Sequence, residues 1–159
     1  MLKKEPLVTD LVGGKTKKTD ERIAFFGAAD ELSAHIMRLT HYVDNGELKN
    51  ELCGEVRTLS AIMGEVAGGG RFIGDKEVGE LCGKIAKYEK TAGAFSGFVL
   101  PGQTAAGAEA HIVRTVARRA ELAYAKVFET NGGSGYIFEY LNKLSSLFFA
   151  IARVLDKTE

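Results

Sequence analysis

Three features that would assign the chain to a particular class of protein are missing from its sequence. No segment approaches the roughly 20 consecutive apolar residues of a membrane span, and no apolar run after the first residues is long enough for a signal peptide. Lys plus Arg and Asp plus Glu both number 21, so no net charge favours nucleic acid or an anionic membrane. These absences predict a cytoplasmic protein without a nucleic-acid or membrane partner, in which any anion site is local.

Metal and disulfide chemistry is also poorly represented. The two cysteines, Cys53 and Cys82, stand far apart without CxxC spacing, so we expect buried thiols and neither a zinc site nor a disulfide framework. The three histidines show no HxxxH or HxxE spacing. The sequence therefore predicts no metal site built from side chains.

Proline occurs only at positions 6 and 101, and the long stretches between carry apolar residues at three- and four-residue spacing. This pattern predicts five helices, over residues 21–42, 47–67, 75–91, 103–129 and 134–155. The last is so apolar that we expect it to be the central helix or an interface helix. A length of 159 residues suits one domain. We therefore predict an all-α helical-bundle domain over residues 21–159, preceded by an irregular segment over residues 1–20.

The fourth predicted helix carries a dense charge cluster. Arg114 and Arg118 are four residues apart and Glu121 follows three later, so all three project from neighbouring turns of one face, with Arg119 on the adjacent face. An ordinary solvated charge stripe is one interpretation, because such ion pairs are common and contribute little. Arginine is also the natural ligand of a polyphosphate, since its planar fork donates in pairs and keeps its charge.

Two neighbouring segments favour the anion pocket. The run from Phe98 to Gly102, just before this helix, is more apolar than an ordinary surface loop needs to be. Asn142 and Lys143 interrupt the otherwise apolar last helix, where a buried amide needs hydrogen-bond partners. No Ser-His-Asp or Cys-His arrangement is evident, so a side-chain nucleophile is not expected.

Two further places near the N-terminus carry candidate polar groups. The run Gly13-Gly14-Lys15-Thr16 lacks the first glycine of the Walker spacing, and no strand pattern precedes it, which disfavours a P-loop. It could still cradle phosphate through backbone N–H groups, or be a flexible basic tail. In the first helix Asp30 has apolar neighbours, which suggests pairing with an arginine of the same chain or across a subunit contact.

Several of these segments together resemble the PduO-type ATP:cob(I)alamin adenosyltransferases. The matching runs are 26–33 (FGAADELS), 98–102 (FVLPG), 111–121 with its Arg-x-x-x-Arg-Arg-x-Glu core, and 140–145 (YLNKLS). They occur in the family's order, and with the helices between them they span about residues 9 to 155.

The resemblance implies a ferritin-like five-helix bundle, assembled as a homotrimer, that transfers the 5′-deoxyadenosyl group of ATP to the cobalt of a reduced corrinoid. Mg²⁺ would help hold the phosphates, and a reductase or a cobalamin-dependent enzyme would be a possible partner. Phe98 would press on the lower face of the corrin and displace its lower ligand. Arg114 would form an ion pair with Asp30 of a neighbouring subunit. The nucleotide site would comprise Thr9, Gly13, Gly14, Lys18, Arg118, Arg119, Glu121 and Asn142, with Arg118 on the triphosphate.

The sequence also departs from the family pattern, which leaves an alternative function open. The family's Thr-Lys-Thr-Gly-Asp-x-Gly segment has no counterpart in residues 1–6, and its Thr-Ser-Leu reads Thr9-Asp10-Leu11. In the last helix the family's Leu-Ser-Asp reads Leu144-Ser145-Ser146. The alternative is a non-catalytic relative that binds a corrinoid or another ligand but has lost productive ATP binding.

Overall fold

A computed structural model describes residues 6–157 of the chain, and helices account for most of them. The elements are β1 (Val8–Leu11), β2 (Gly14–Lys17), α1 (Glu21–Leu39), α2 (Gly46–Val66), α3 (Asp75–Ala92), α4 (Ala105–Asn131) and α5 (Gly135–Leu155). The prediction of an all-α bundle of five helices is confirmed. In this part of the chain no helix combines the length and the apolar character needed to cross a membrane.

The helix ends lie within three residues of the predicted positions, and local hydrogen bonds explain where they fall. Asp20, Asn45 and Thr104 cap α1, α2 and α4 by accepting from the backbone N–H two or three residues ahead, at 2.9–3.0 Å. Helix α1 ends at Leu39 and not at residue 42, because the next three N–H groups bond to carbonyls three residues back and tighten the last turn.

The segment before α1 contains a β-hairpin, so the expectation of an irregular segment over residues 1–20 is wrong for its described part. Strands β1 and β2 pair antiparallel, with Val8 opposite Lys17 and Leu11 opposite Gly14. Gly13 and Gly14 have φ angles of 96° and 135°, a region that favours glycine and lets the chain reverse. A strand thus precedes the glycine pair, but a second strand follows it where a P-loop requires a helix. Residues 1–5 lie outside the described residues.

Helix α5 shares the centre of the bundle with α4. It packs against α4 on one side and α3 on another, while α1 packs against α4 and α2. Its buried apolar side chains include Tyr140, Leu141, Leu144, Leu147, Phe148 and Ile151. The apolar character of the last helix is therefore explained inside one protomer and needs no interface. Cys53 and Cys82, expected to be buried thiols, are free and only half-buried.

Two buried carboxylates tie the helices together. Glu55 of α2 accepts from the Tyr140 hydroxyl of α5 and, at 2.6 Å, from Lys84 of α3. Burial, and the negative charge of Glu55, raise the pKa of Tyr140 well above its usual value, so its hydroxyl keeps its proton. Glu109 of α4 lies 2.9 Å from His35 of α1. Each acid thus has hydrogen-bond partners that offset its removal from water.

Tyr124 joins α4 to the start of α5. Its ring is fully buried against Phe25, and its hydroxyl accepts from the Ser134 N–H at 2.9 Å and donates to the Ser134 carbonyl at 3.1 Å. Gly133 has no space for a side chain, since a Cβ there would lie 2.6 Å from this hydroxyl. The Tyr124 hydroxyl therefore fixes the connection between α4 and α5.

We predict that Tyr124→Phe lowers the free energy of unfolding by about 1–3 kcal/mol, because it leaves two backbone groups of Ser134 without partners. Chemical denaturation of wild type and variant measures the difference. Tyr136→Phe, on a half-exposed tyrosine of the next helix, is the control and should change stability by less than about 0.5 kcal/mol. Equal stability of all three proteins would contradict the assigned role of the Tyr124 hydroxyl.

Candidate functional site

The predicted charge cluster lies where α4 faces α5. Arg114 and Arg118 line a shallow cavity of about 250 Å³ with Ser145, Ser146 and Phe149 of α5. Arg118 is exposed, whereas Nε of Arg114 is buried and has no hydrogen-bond partner among the described residues. The cavity therefore presents two guanidinium groups beside two hydroxyl-bearing side chains, an arrangement suited to an anion.

The other charged residues of the cluster are held by neighbouring helices. Arg119 forms an ion pair with Glu31 of α1. Glu121 accepts from the Asn142 side-chain amide of α5 at 2.8 Å, but Asn142 is exposed, so the expectation of a buried amide there is wrong. Arg119 thus lies on a different face of α4 from Arg118, as their spacing predicts. Arg118, for which the described residues provide no ion pair, is left facing the cavity, unlike an ordinary solvated stripe of paired charges.

A second cavity, of about 280 Å³, adjoins the first and shares Arg114 and Phe149 with it. It is lined mainly by the connection between α3 and α4, residues 93–104, here called the Phe98 loop. Phe98 itself is 85% exposed. Exposing an aromatic ring to water is unfavourable in free energy unless a ligand covers it. The structure thus brings an apolar, ligand-accessible surface next to the arginine cavity.

Two residues that the sequence analysis did not assign to the site help to build it. Phe149 lies between the two cavities, with its ring 6.0 Å from the Arg114 guanidinium. Its position follows from helical spacing, because Asn142, Ser145 and Phe149 fall on one face of α5 at steps of three and four residues. His111, one of the three histidines whose spacing predicts no metal site, lines the second cavity one turn before Arg114.

The environment of His111 favours its neutral form. The side chain is buried, and neither ring nitrogen has a hydrogen-bond partner among the described residues, although Nε2 lies 3.4 Å from Oδ2 of Asp156. Burial lowers the pKa of His111; the Asp156 carboxylate opposes this shift and the Arg114 charge adds to it. The second cavity therefore gains a neutral imidazole and no positive charge from this residue.

We predict that acidification through the range around pH 6.5 destabilises the protein. The unfolded chain takes up a proton on this imidazole near its ordinary pKa of 6.5, whereas the folded chain, whose pKa is lower, does not. Urea unfolding at about pH 7.5 and about pH 5.5 measures the loss, which should be smaller in His111→Gln. His41→Gln, at an exposed histidine, is the control; equal losses in wild type and His111→Gln would contradict the prediction.

The N-terminal candidates belong to the hairpin or follow it directly, and none of them lines either cavity. Thr9 pairs with Thr16 in the hairpin, Gly13 and Gly14 form its turn, and the Lys18 N–H donates to Leu7 O at 2.8 Å. The hairpin precedes α1, whose N-terminal half contacts the C-terminal half of α4 through Phe25 and Tyr124. The Phe98 loop precedes the other end of α4, a helix of 27 residues and about 40 Å.

Asp30 and Arg114 are likewise not paired within the protomer. Asp30 is exposed on α1, and no ion pair joins it to an arginine in the described part of the chain. Arg114 is half-buried, with Nε unsatisfied. Of the two partners predicted for Asp30, an arginine of the same chain is therefore not observed; an arginine across a subunit contact stays a prediction.

Comparison with known proteins identifies the class to which this fold and site belong. The profile of the cobalamin adenosyltransferase family matches residues 8–155. A cobalamin adenosyltransferase of Cupriavidus metallidurans is 33% identical over 91% of this chain and 80% of its own length. A corrinoid adenosyltransferase of Bacillus subtilis is 29% identical over 93% and 81%. The chain belongs to the cobalamin adenosyltransferase family.

Solved structures agree with this assignment. A variant of the PduO-type ATP:corrinoid adenosyltransferase from Lactobacillus reuteri, complexed with ATP, superimposes with a TM-score of 0.88 and 25% identity, covering 98% of this chain and 94% of that one. Another variant of that protein, complexed with cobalamin and ATP, gives the same TM-score at 24% identity and shares the fold, covering 98% and 91%. The resemblance inferred from the sequence motifs is confirmed at the level of the family and the fold.

Proposed function

We propose that this protein transfers the 5′-deoxyadenosyl group of ATP to the cobalt of a reduced corrinoid. The cobalt of cob(I)alamin attacks C5′ of ATP; a cobalt–carbon bond forms as the C5′–O bond breaks, and the electron pair of that bond leaves with triphosphate. The observation that carries the proposal is the pair of adjoining cavities, one cationic and one apolar, that share Arg114 and Phe149.

The arginine cavity suits the leaving group. Triphosphate gains negative charge as the C5′–O bond breaks, and a fixed guanidinium near that charge stabilises the transition state more than the ground state. Arg118 is exposed and faces the cavity, so we assign it to the triphosphate. Arg119, Glu121 and Asn142 then form a wall of the nucleotide site, held by the Glu31 ion pair and the 2.8 Å amide contact.

The Phe98 surface suits the corrin. A planar macrocycle can cover the exposed phenyl ring, and an apolar side chain beneath the cobalt offers the metal no donor atom, which removes its lower ligand. Without that ligand cob(II)alamin becomes four-coordinate and easier to reduce. The neutral state favoured for His111 in the same cavity adds no charge to this apolar surface.

Mg²⁺ fits this site as a companion of the nucleotide. Within the described part of the chain no three His, Cys, Asp or Glu side chains are grouped to hold a metal ion. Mg²⁺ keeps several waters and binds phosphate oxygens with few protein ligands, so such a group is not required. The ion would reduce the charge that Arg118 has to stabilise.

We further propose that the active form is a homotrimer and that a second protomer completes each site. The hairpin residues Thr9, Gly13, Gly14 and Lys18 would then reach the nucleotide on a neighbouring subunit. Asp30 of that subunit would pair with Arg114, which explains an exposed carboxylate on α1 and an unsatisfied guanidinium nitrogen on α4. The cytoplasmic location and a reductase or cobalamin-dependent partner remain predictions.

The non-catalytic alternative is not favoured. The family profile includes the hairpin as well as the helices, and the relatives that match over most of this chain are named adenosyltransferases. Calorimetry with ATP alone distinguishes the two functions. A non-catalytic relative should bind ATP very weakly, whereas an adenosyltransferase should bind it measurably.

We predict that Arg118→Ala lowers kcat from chemically reduced cob(I)alamin, with Mg²⁺ and ATP, by about 100-fold or more, because it removes a donor to the leaving triphosphate. Phe98→Ala should instead slow chiefly the reaction that starts from cob(II)alamin. The absorbance change that accompanies cobalt–carbon bond formation measures both rates.

Arg57→Ala, at an exposed arginine of α2, is the control and should leave both rates unchanged. No product above background with the wild-type protein would refute the adenosyl transfer. Equal, mild losses in the Arg118 and Phe98 variants would refute the separate roles.

We predict that Asp30→Arg and Arg114→Asp each weaken the trimer, because each places like charges opposite one another, and that the double variant restores it. Sedimentation velocity measures assembly. Asp44→Arg, which reverses another exposed acid, should leave the trimer intact. A wild-type monomer, or a double variant no better assembled than the singles, would contradict the pairing.

A further inference from the structure

Both ends of the Phe98 loop are held by the last turn of α5 and the residues after it. This contact joins segments about 50–60 residues apart in sequence. Between its two ends the loop presents Phe98, which is 85% exposed. The residues that hold the loop therefore determine where the phenyl ring stands.

The end of the loop is held by Asp156, the C-cap residue of α5. Its two carboxylate oxygens accept from the Gly102 N–H at 3.2 Å and from the Thr104 N–H at 3.1 Å. The Thr104 hydroxyl donates to the Leu155 carbonyl at 3.1 Å and accepts from the Gly107 N–H at 2.9 Å. A carboxylate at the N-terminus of a helix is also favoured by the helix dipole.

Gly107 makes this contact possible. A Cβ on residue 107 would lie 1.8 Å from Oδ1 and 2.5 Å from Cγ of Asp156, so any other residue displaces the carboxylate. Glycine inside a helix is otherwise unfavourable. Its presence in the first turn of α4 is explained by the docked Asp156 side chain, whose exposure is only 8%.

The start of the loop is held by cations. The Arg153 guanidinium is buried, donates to the Gly93 carbonyl and stacks 4.2 Å from the Phe95 ring centroid. Lys157 donates to the Ala92 carbonyl at 2.5 Å. These carbonyls end α3, where the helix dipole favours positive charge. Cationic side chains thus bind the start of the loop at the end of α3, and a carboxylate binds its end at the start of α4.

We propose that Asp156 and Arg153 are positioning residues that hold the Phe98 loop in the geometry that removes the lower ligand of the corrin. This inference rests on the proposed function. A phenyl ring can keep a donor away from the cobalt only if the backbone that carries it stays in place when the corrin binds. A flexible loop would have to be ordered first, at a cost in conformational entropy. Asp156 and Arg153 hold the two ends of the loop through these hydrogen bonds.

The test uses the full-length protein and two variants that disturb the same contact differently. Asp156→Asn replaces one acceptor oxygen with a donor amide facing a backbone N–H, and Gly107→Ala displaces an unchanged Asp156. Each should slow the reaction from cob(II)alamin about tenfold or more, while the rate from cob(I)alamin changes less than about threefold. With ATP bound, electron paramagnetic resonance should show less four-coordinate cob(II)alamin.

A double-mutant cycle separates positioning from general destabilisation. If Asp156 acts through Phe98, Asp156→Asn causes no further loss of the cob(II)alamin rate in a Phe98→Ala background. Gly79→Ala, at a helical glycine of α3 with nothing within 4 Å of its added Cβ, is the matched control and should change neither rate. If Asp156→Asn fails to fold, Arg153→Lys replaces it in the same measurements. This variant keeps the positive charge but loses the planar guanidinium that stacks on Phe95.

The outcomes distinguish this inference from the proposed function. A wild-type protein that forms no product from cob(I)alamin refutes the transfer itself. An active wild type whose Asp156 and Gly107 variants keep the wild-type four-coordinate signal, or lose both rates equally, overturns the positioning role. Additive losses in the double variant overturn it as well.

Discussion

The close packing of α4 on α5 is the contact on which the fold and the candidate site both depend. Large apolar residues of α5, among them Leu141, Leu144 and Phe148, are fully buried, and α5 packs against α4 along its length. The same register brings Glu121 to Asn142 and Arg114 to Phe149. A slip of one residue would rotate each side chain by about 100° and separate these pairs.

The helix packing also determines which charged side chains are left without an ion-pair partner. The buried acids Glu55 and Glu109 have partners on neighbouring helices, and Arg119 is paired with Glu31. Asp156, the acid nearest the Phe98 loop, accepts from backbone N–H groups. Within the described residues no carboxylate forms an ion pair with Arg118. Arg118 lines the cavity that it shares with Arg114, so its positive charge is available there to an anion.

The sequence predicted well what depends on local periodicity. Apolar spacing gave the five helices within three residues at their ends, and i, i+3 and i, i+4 spacing placed Arg114 with Arg118 and separated Arg119. The four-residue strands of the hairpin are too short to show a period, so it was missed despite the glycine pair. Asp156 and His111 were missed because their roles come from contacts across the end of the bundle, between positions 45 or more residues apart. No spacing rule reports such contacts.

The length of α4 constrains how the site is completed. The hairpin precedes α1, which contacts the C-terminal half of α4, and the Phe98 loop precedes the N-terminal end of α4, a helix about 40 Å long. In the proposed reaction, C5′ of ATP has to contact the cobalt of a corrin that would cover Phe98. The triphosphate would therefore lie within the length of one nucleotide from the Phe98 surface, and the hairpin of the same protomer would not reach it. The proposed site, which uses both the hairpin glycines and Phe98, would therefore have to be assembled from two protomers.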